Sequence, residues 1–152
     1  MKSLLIAALL AASTAPALAG DHRYGPFPAH YVEECASCHV AYPPQLLTAP
    51  GWQRVMTQLD RHYGIDASLD AKRRATIADY LQHAASRKDK HAPTEATARM
   101  TNTPWFIREH WPTPPAKTPF ANCTACHTAA DKGDYSESSL KLPAGFRHKE
   151  RD

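Results

Sequence analysis

All four cysteines of the chain fall in two copies of one short pattern, Cys-x-x-Cys-His, at residues 35–39 ("CASCH") and 123–127 ("CTACH"). In this pattern both thiols bond covalently to the vinyl groups of one porphyrin, and the adjacent His reaches the iron. Histidine makes up 9 of the 152 residues, so chance would place His after both pairs only about three times in a thousand. The spacing therefore predicts two covalently attached haem c groups.

The predicted attachment residues are Cys35 and Cys38 with the ligand His39 for the first haem, and Cys123 and Cys126 with the ligand His127 for the second. Other uses of these cysteines fit less well. Two local disulfides would close very small loops and stabilise little. A zinc ribbon places its two cysteine pairs much closer together along the chain. A haem-free zinc or disulfide module is therefore kept only as a remote alternative.

Each haem iron has a second axial position, and two histidines are the predicted ligands for it. His62 lies seven residues after Val55 and shares the apolar face of a helix predicted for residues 51–63. His110 lies four residues after Phe106 and is also expected to point inward. Met56, on the same predicted helix as His62, is an alternative ligand but fits core packing better.

The remaining candidates are weaker. Met100, His83 and His91 are minor alternatives, and His22, His30 and His148 are expected to be solvated. The predicted pairing joins His39 with His62 and His127 with His110, and a crossed pairing remains open.

The elements that must position these residues are predicted to be helices, with few or no strands. They are expected at residues 31–40, 51–63, 70–85, 105–110 and 120–130. In the first half the motif precedes the helix that carries the Trp and the distal His, and in the second half it follows that helix. The halves are thus not a tandem repeat, and we expect a mostly α-helical fold in which both haems share one interior.

The first 19 residues have the pattern of a secretory signal peptide. Lys2 is followed by an apolar stretch at 4–12, and the sequence Ala-Leu-Ala precedes the expected cleavage before Gly20. A membrane anchor is the alternative, but the apolar stretch is short for a span. We expect a mature protein without a membrane span, exported to the periplasm, with a dihaem domain at 20–143 and a charged, mobile tail at 144–152.

The charge balance bears on the class of partner. With Lys2 removed, 17 basic and 15 acidic side chains remain, a net charge of +2. Nucleic-acid binding needs clustered basic charge, so no nucleic-acid partner is expected.

Five segments of the chain resemble the dihaem cytochrome c family of bacterial periplasmic electron carriers. Two resemble its haem segments: "ECASCHVAYPPQLL" at 34–47 and "ANCTACHTAADKGDY" at 121–135. Three resemble its distal segments and the helix between them: "GWQRVMTQLDRHYGIDASLD" at 51–70, "IADYLQHAA" at 77–85 and "WFIREHW" at 105–111. Together they cover most of the chain from residue 34 to about residue 143.

The resemblance implies a small helical c-type cytochrome with two low-spin, bis-histidine haems of low potential. It gives the distal role to His62 and His110. It also implies redox partner proteins, among them a small monohaem cytochrome and a membrane cytochrome b or quinol-linked donor.

The expected function is electron transfer in the periplasm, without bond-making chemistry on a substrate. The main alternative is a dihaem enzyme or gas sensor with one open iron, which would carry out peroxidase or nitrogen-oxide chemistry. A subunit that only passes electrons to a larger enzyme is a third possibility.

Overall fold

Four α-helices and a series of short 3-10 turns form the regular secondary structure of this computed structural model, which describes residues 22–110 and 120–142. The helices are α1 (Ala29–Cys35), α2 (Ala49–Met56), α3 (Ala71–Ala84) and α4 (Pro104–Glu109). The predicted signal peptide and the charged tail lie outside the described residues. None of the helices within those residues is long and apolar enough to cross a bilayer.

Helix α3 is the longest helix, and its start is set by a side-chain cap. The Asp70 carboxylate accepts a hydrogen bond from the backbone N–H of Arg73 at 3.0 Å, which satisfies an amide that has no partner inside the helix. Ile77 and Leu81, four residues apart on one face, are fully buried. The predicted helix at 70–85 is therefore confirmed almost to the residue.

The core forms where α2 and α1 pack against α3. Trp52 of α2 is buried, and its indole N–H donates to the carbonyl oxygen of Pro44 at 2.7 Å. Tyr31 of α1 is only 1% exposed, and its ring packs against that of Tyr80 of α3 at 5.3 Å between centroids. Since the buried Trp and Tyr both satisfy their polar atoms, this core orders the chain without leaving those groups unpaired.

Within the described residues the backbone forms isolated bridges and no β-strand, as the sequence predicts. One set of bonds joins the N-terminal arm to the segment that follows the second motif. The N–H of Tyr24 donates to Gly133 O at 2.8 Å, and the N–H of Tyr135 donates to His22 O at 2.9 Å. The two ends of the described chain are thereby tied together.

Three predicted helices are shorter than expected. The helix predicted for 31–40 ends at Cys35, so the rest of the first Cys-x-x-Cys-His motif lies in a turn. The helix predicted for 51–63 ends at Met56, and a separate 3-10 turn, Leu59–Arg61, follows it. The helix predicted for 120–130 does not form as a continuous helix. Only the 3-10 turns Cys123–Ala125 and Ala130–Lys132 form in that segment.

Candidate functional site

The first Cys-x-x-Cys-His motif begins at the last residue of α1. Cys35 ends the helix, and Cys38 and His39 lie in the turn that follows. The Nδ1 atom of His39 lies 2.7 Å from the carbonyl oxygen of Val40. Because a carbonyl only accepts, Nδ1 carries the proton, and Nε2 is the nitrogen left to bind a metal.

His62 does not lie on a helix, in contrast to the sequence prediction. It follows the 3-10 turn Leu59–Arg61 and occupies a tight loop in which its backbone pairs with that of Ile65. The loop nevertheless brings it to the expected partner. The ring centroids of His62 and His39 are 6.3 Å apart, and the ring planes differ by 28°.

The loop that carries His62 is anchored by the next residue. The Tyr63 hydroxyl donates to Ala98 O at 3.1 Å, and the Arg99 guanidinium lies 4.2 Å from the centre of the Tyr63 ring. Tyr63 has a backbone φ of +52°, and Gly64 has a φ of +99°, which is unfavourable for most side chains. These contacts fix the otherwise unfavourable turn and hold His62 in place.

The second motif is held by backbone bonds rather than by a long helix. The N–H of His127 donates to Cys123 O at 2.8 Å, and the N–H of Lys141 donates to Cys126 O at 2.7 Å. The second bond crosses from a segment 15 positions along the chain. It fixes the turn that presents His127.

Helix α4 presents His110 at its C-terminal cap. The Nδ1 of His110 lies 2.9 Å from Phe106 O, which again leaves Nε2 for a metal. The His110 ring stacks on Phe106 with centroids 3.9 Å apart and planes 13° apart, and Phe120 packs edge-on against both rings. The His110 and His127 centroids are 6.3 Å apart, with an angle of 69° between the planes.

The two histidine pairs thus have the same spacing, and that spacing fits a metal atom between the rings. A metal–imidazole bond of about 2 Å on each side, plus about 1 Å from each nitrogen to its ring centre, gives about 6 Å. Rings stacked face to face in direct contact lie much closer, as the 3.9 Å stack of Phe106 and His110 shows. The residues present therefore fit two haem irons, each between two imidazoles, although ligation itself stays a prediction.

Burial favours the neutral form of two of these imidazoles, His62 and His127, and the neutral form is the one that binds metals. Burial, and then the charges of His39 and Arg99, lower the pKa of His62. Burial, and then the neighbouring His110, lower the pKa of His127 to about 4. Both shifts follow from the cost of placing a cation in an apolar setting next to other basic groups.

The four cysteines are unpaired thiols. Burial raises the pKa of Cys35 to about 11, with a smaller effect from Glu34, and burial also raises the pKa of Cys123 to about 11. Among the described residues, no three His, Cys, Asp or Glu side chains are grouped to hold one metal ion.

The two motifs lie beside each other in the fold. Residues 38–40 of the first segment and 121–124 of the second line one cavity of about 300 Å³. The Tyr42 hydroxyl also donates to Ala121 O at 3.1 Å. This contact between segments far apart in sequence agrees with the expected single interior for both sites.

The alternative ligands occupy other environments. Met56 and Met100 are buried in the core cluster. His91 is buried with its Nδ1 2.6 Å from Ser86 Oγ, and His83 is exposed on α3. The structure therefore brings His62 and His110, rather than these residues, opposite the motif histidines.

Two residues that touch the candidate ligands of the first pair were not singled out from the sequence. Tyr42 stacks on His39 with centroids 4.5 Å apart, and Tyr63 packs edge-on against His62 at 4.7 Å. The sequence places a tyrosine close to each of these two histidines, and that proximity was the available signal for a contact. Its meaning depends on backbone turns that local patterns do not reveal.

Comparison with known proteins identifies the family of this chain. The profile of the dihaem cytochrome c family matches residues 31–135, which is more than half of the chain. A search of curated proteins found no match.

Solved structures give the same result. The chain is similar to DHC purified from Rhodobacter sphaeroides, with 36% identity and a TM-score of 0.60, over 70% of this chain and 95% of that chain. It is also similar to sb-DHC, a diheme cytochrome type c from Shewanella baltica OS155, with 34% identity and a TM-score of 0.64, over 76% of this chain and 93% of that chain. The chain therefore belongs to the dihaem cytochrome c family and is a haem-binding cytochrome.

Proposed function

We propose that the protein is a periplasmic electron carrier with two covalently attached, six-coordinate haems. In this proposal the thioether bonds form at Cys35, Cys38, Cys123 and Cys126. The axial ligand pairs are His39 with His62 and His127 with His110.

The observation that carries the proposal is the repeated 6.3 Å spacing of facing imidazole rings. The pairs are built from unrelated local structures: a loop and a turn in the first case, and a helix end and a turn in the second. The same separation in both supports a common requirement, one metal atom between two rings.

Haem bound here supplies one-electron chemistry, because its iron exchanges between ferric and ferrous states. The chain's own residues fix the ligand nitrogens. The Val40 and Phe106 carbonyls orient the imidazoles of His39 and His110 through Nδ1, a contact that sets ring orientation and basicity. An imidazole on both sides of each iron would leave no position open for a substrate or a gas, which favours electron transfer over catalysis.

The distal ligands can be tested one at a time. His62→Ala and His110→Ala should each convert one haem to a high-spin form that binds carbon monoxide, and both haems should stay covalently attached. The measurement is the absorption spectrum of each purified variant, oxidised and reduced, with and without the gas.

His83→Ala is the matched control, because His83 is an exposed helix residue away from both pairs. It should leave both haems low-spin. If His62→Ala or His110→Ala also stays fully low-spin, that ligand assignment is wrong. If the unaltered protein binds carbon monoxide, a dihaem enzyme or gas sensor becomes the better account.

The proposed location rests on the first 19 residues and on haem chemistry. The leader has the charged, apolar and small-residue regions of a secretory signal. In a periplasmic fraction, the mass of the intact protein should correspond to a chain that begins at Gly20 and carries two haems. A mass that retains Met1 would contradict export with cleavage.

The proposed partners rest on the family resemblance. We expect a small monohaem cytochrome as one redox partner and a membrane cytochrome b or quinol-linked protein as a donor. Stopped-flow mixing of the reduced protein with an oxidised monohaem cytochrome from the same cells should show rapid electron exchange that slows at high salt, because charged surfaces steer such encounters.

A further inference from the structure

The aromatic ring of Tyr42 is the second contact that fixes His39. The two rings are nearly parallel, with planes 13° apart and centroids at 4.5 Å. The hydrogen bond from Nδ1 to Val40 O restrains the edge of the His39 imidazole. The stacked Tyr42 ring restrains its face. Together the two contacts leave His39 little freedom to rotate.

Tyr42 can act in this way because its own backbone is fixed. The buried Tyr31 hydroxyl donates to the Tyr42 carbonyl oxygen at 2.6 Å. The flanking residues, Ala41 and Pro43, are buried as well. The tyrosine that contacts the ligand is therefore an extension of the rigid core around α1 and α3.

The far end of the Tyr42 side chain is also held. Its hydroxyl donates to Ala121 O at 3.1 Å, two residues before Cys123 of the second motif. The ring is thus fixed at its backbone by the first half of the fold and at its hydroxyl by the second half.

From this arrangement we infer that Tyr42 is a positioning residue that sets the plane of the His39 imidazole relative to that of His62. The inference rests on the proposed bis-histidine ligation. It accounts for a difference between the sites: the imidazole planes are 28° apart in the first pair and 69° apart in the second. In the second pair Phe106 and Phe120 contact His110, and Tyr135 packs against His127 in a tilted arrangement with centroids 5.1 Å apart.

The plane angle has a direct spectroscopic signature. In low-spin ferric haems with two imidazole ligands, the largest g value rises as the ligand planes approach perpendicular. The unaltered protein should therefore show two low-spin signals, with the smaller maximum g value from the first haem. A change in the His39 plane moves that signal and leaves the other in place.

The test compares Tyr42→Leu, which removes the ring, with Tyr42→Phe, which keeps it. Low-temperature electron paramagnetic resonance of the ferric protein with both haems attached should show that Tyr42→Leu shifts one low-spin signal. Tyr42→Phe should leave that signal at or near its original position. Should Tyr42→Leu fail to retain haem, Tyr42→Met gives the same comparison, because a methionine side chain fills irregular gaps.

Tyr80→Leu is the matched control. Tyr80 packs against Tyr31 in the same core and is partly buried like Tyr42. It should lower the melting temperature but leave both signals unshifted. The inference is overturned if removing the Tyr42 ring moves neither signal, if Tyr42→Phe shifts the signal as much as Tyr42→Leu, or if Tyr80→Leu produces the same shift. If the unaltered protein shows no low-spin signals, the proposed ligation itself fails.

Discussion

Replacing Thr103 by valine should weaken helix α4 and, through it, the hold on His110. Thr103 is 0% exposed. Its Oγ1 accepts a hydrogen bond from the N–H of Phe106 at 3.1 Å and donates to Met100 O at 2.9 Å. Valine has nearly the same shape but no hydroxyl, so the substitution removes these bonds without creating a cavity.

The size of the effect follows from which partners are left unpaired. Met100 O keeps the bond from the backbone N–H of Thr103 at 3.1 Å, so the loss on that side is small. The N–H of Phe106, in the first turn of α4, loses its cap in a buried setting. Losing an N-cap costs about 1 kcal/mol, and leaving a buried amide unpaired costs about 1–3 kcal/mol. We expect a loss of about 2 kcal/mol, or about 8 °C in Tm for a domain of this size.

The assay is thermal unfolding of the protein with both haems attached, followed by circular dichroism, for Thr103→Val and for the matched control Thr103→Ser. The serine variant keeps the hydroxyl but loses a buried methyl group, so it should lose only about 1 kcal/mol and remain more stable than the valine variant. Because α4 carries His110, Thr103→Val should also let carbon monoxide reach one haem at a lower denaturant concentration. A Thr103→Val variant as stable as Thr103→Ser would refute the argument that this cap supports the second site.

Two further predictions test other parts of the fold. Gly133→Ala should destabilise more than Gly64→Ala, by about 1–3 kcal/mol, because an added Cβ at Gly133 would lie 2.6 Å from the Gly25 nitrogen, whereas nothing lies within 4 Å at Gly64. Chemical denaturation of both variants measures the difference, and equal losses would mean that the backbone angle alone sets the cost. Burial lowers the pKa of His91, so its protonation favours the unfolded state, and stability should fall as the pH drops below about 6.5 toward the folded pKa. Melting temperatures between pH 8 and pH 5 should decline less for His91→Gln than for the unaltered protein, and an equal decline would exclude His91 as the cause.

Helix α3 was predictable from local sequence because its signals lie within the helix. Asp70 supplies the cap, and Ile77 and Leu81 repeat at helical spacing. The start of α4 was predictable for the same reason: Thr103 and Pro104 together are a typical helix start, and the structure shows both in those positions.

The loop that carries His62 was not predictable from local sequence. The apolar spacing through residue 63 favours a helix, but long-range contacts override it. Ala67 N–H donates to Leu59 O at 2.8 Å, and the Tyr63 hydroxyl bonds to Ala98 O. This turn becomes favourable only when Tyr63 and Ala98, 35 positions apart, come into contact. The local periodicity of the sequence carries no information about such a contact.

The structure brings together the histidines that were predicted to pair, although the backbone expected for His62 was wrong and ligation stays a prediction. His62 was chosen because it was expected on an apolar helix face, and it reaches His39 from a loop instead. The second motif shows the same pattern, since bonds from residues 139 and 141 hold it in place of helical ones. Residue type and motif spacing therefore identified the chemistry, whereas tertiary contacts determined the geometry.

The most direct test of the central claim is an absorption spectrum of the purified protein, oxidised and then reduced, before and after addition of carbon monoxide. Two facing histidine pairs predict low-spin c-type bands from two haems that the gas leaves unchanged. A high-spin band, or a shift caused by the gas, would show that one iron is open and would contradict bis-histidine ligation at both sites.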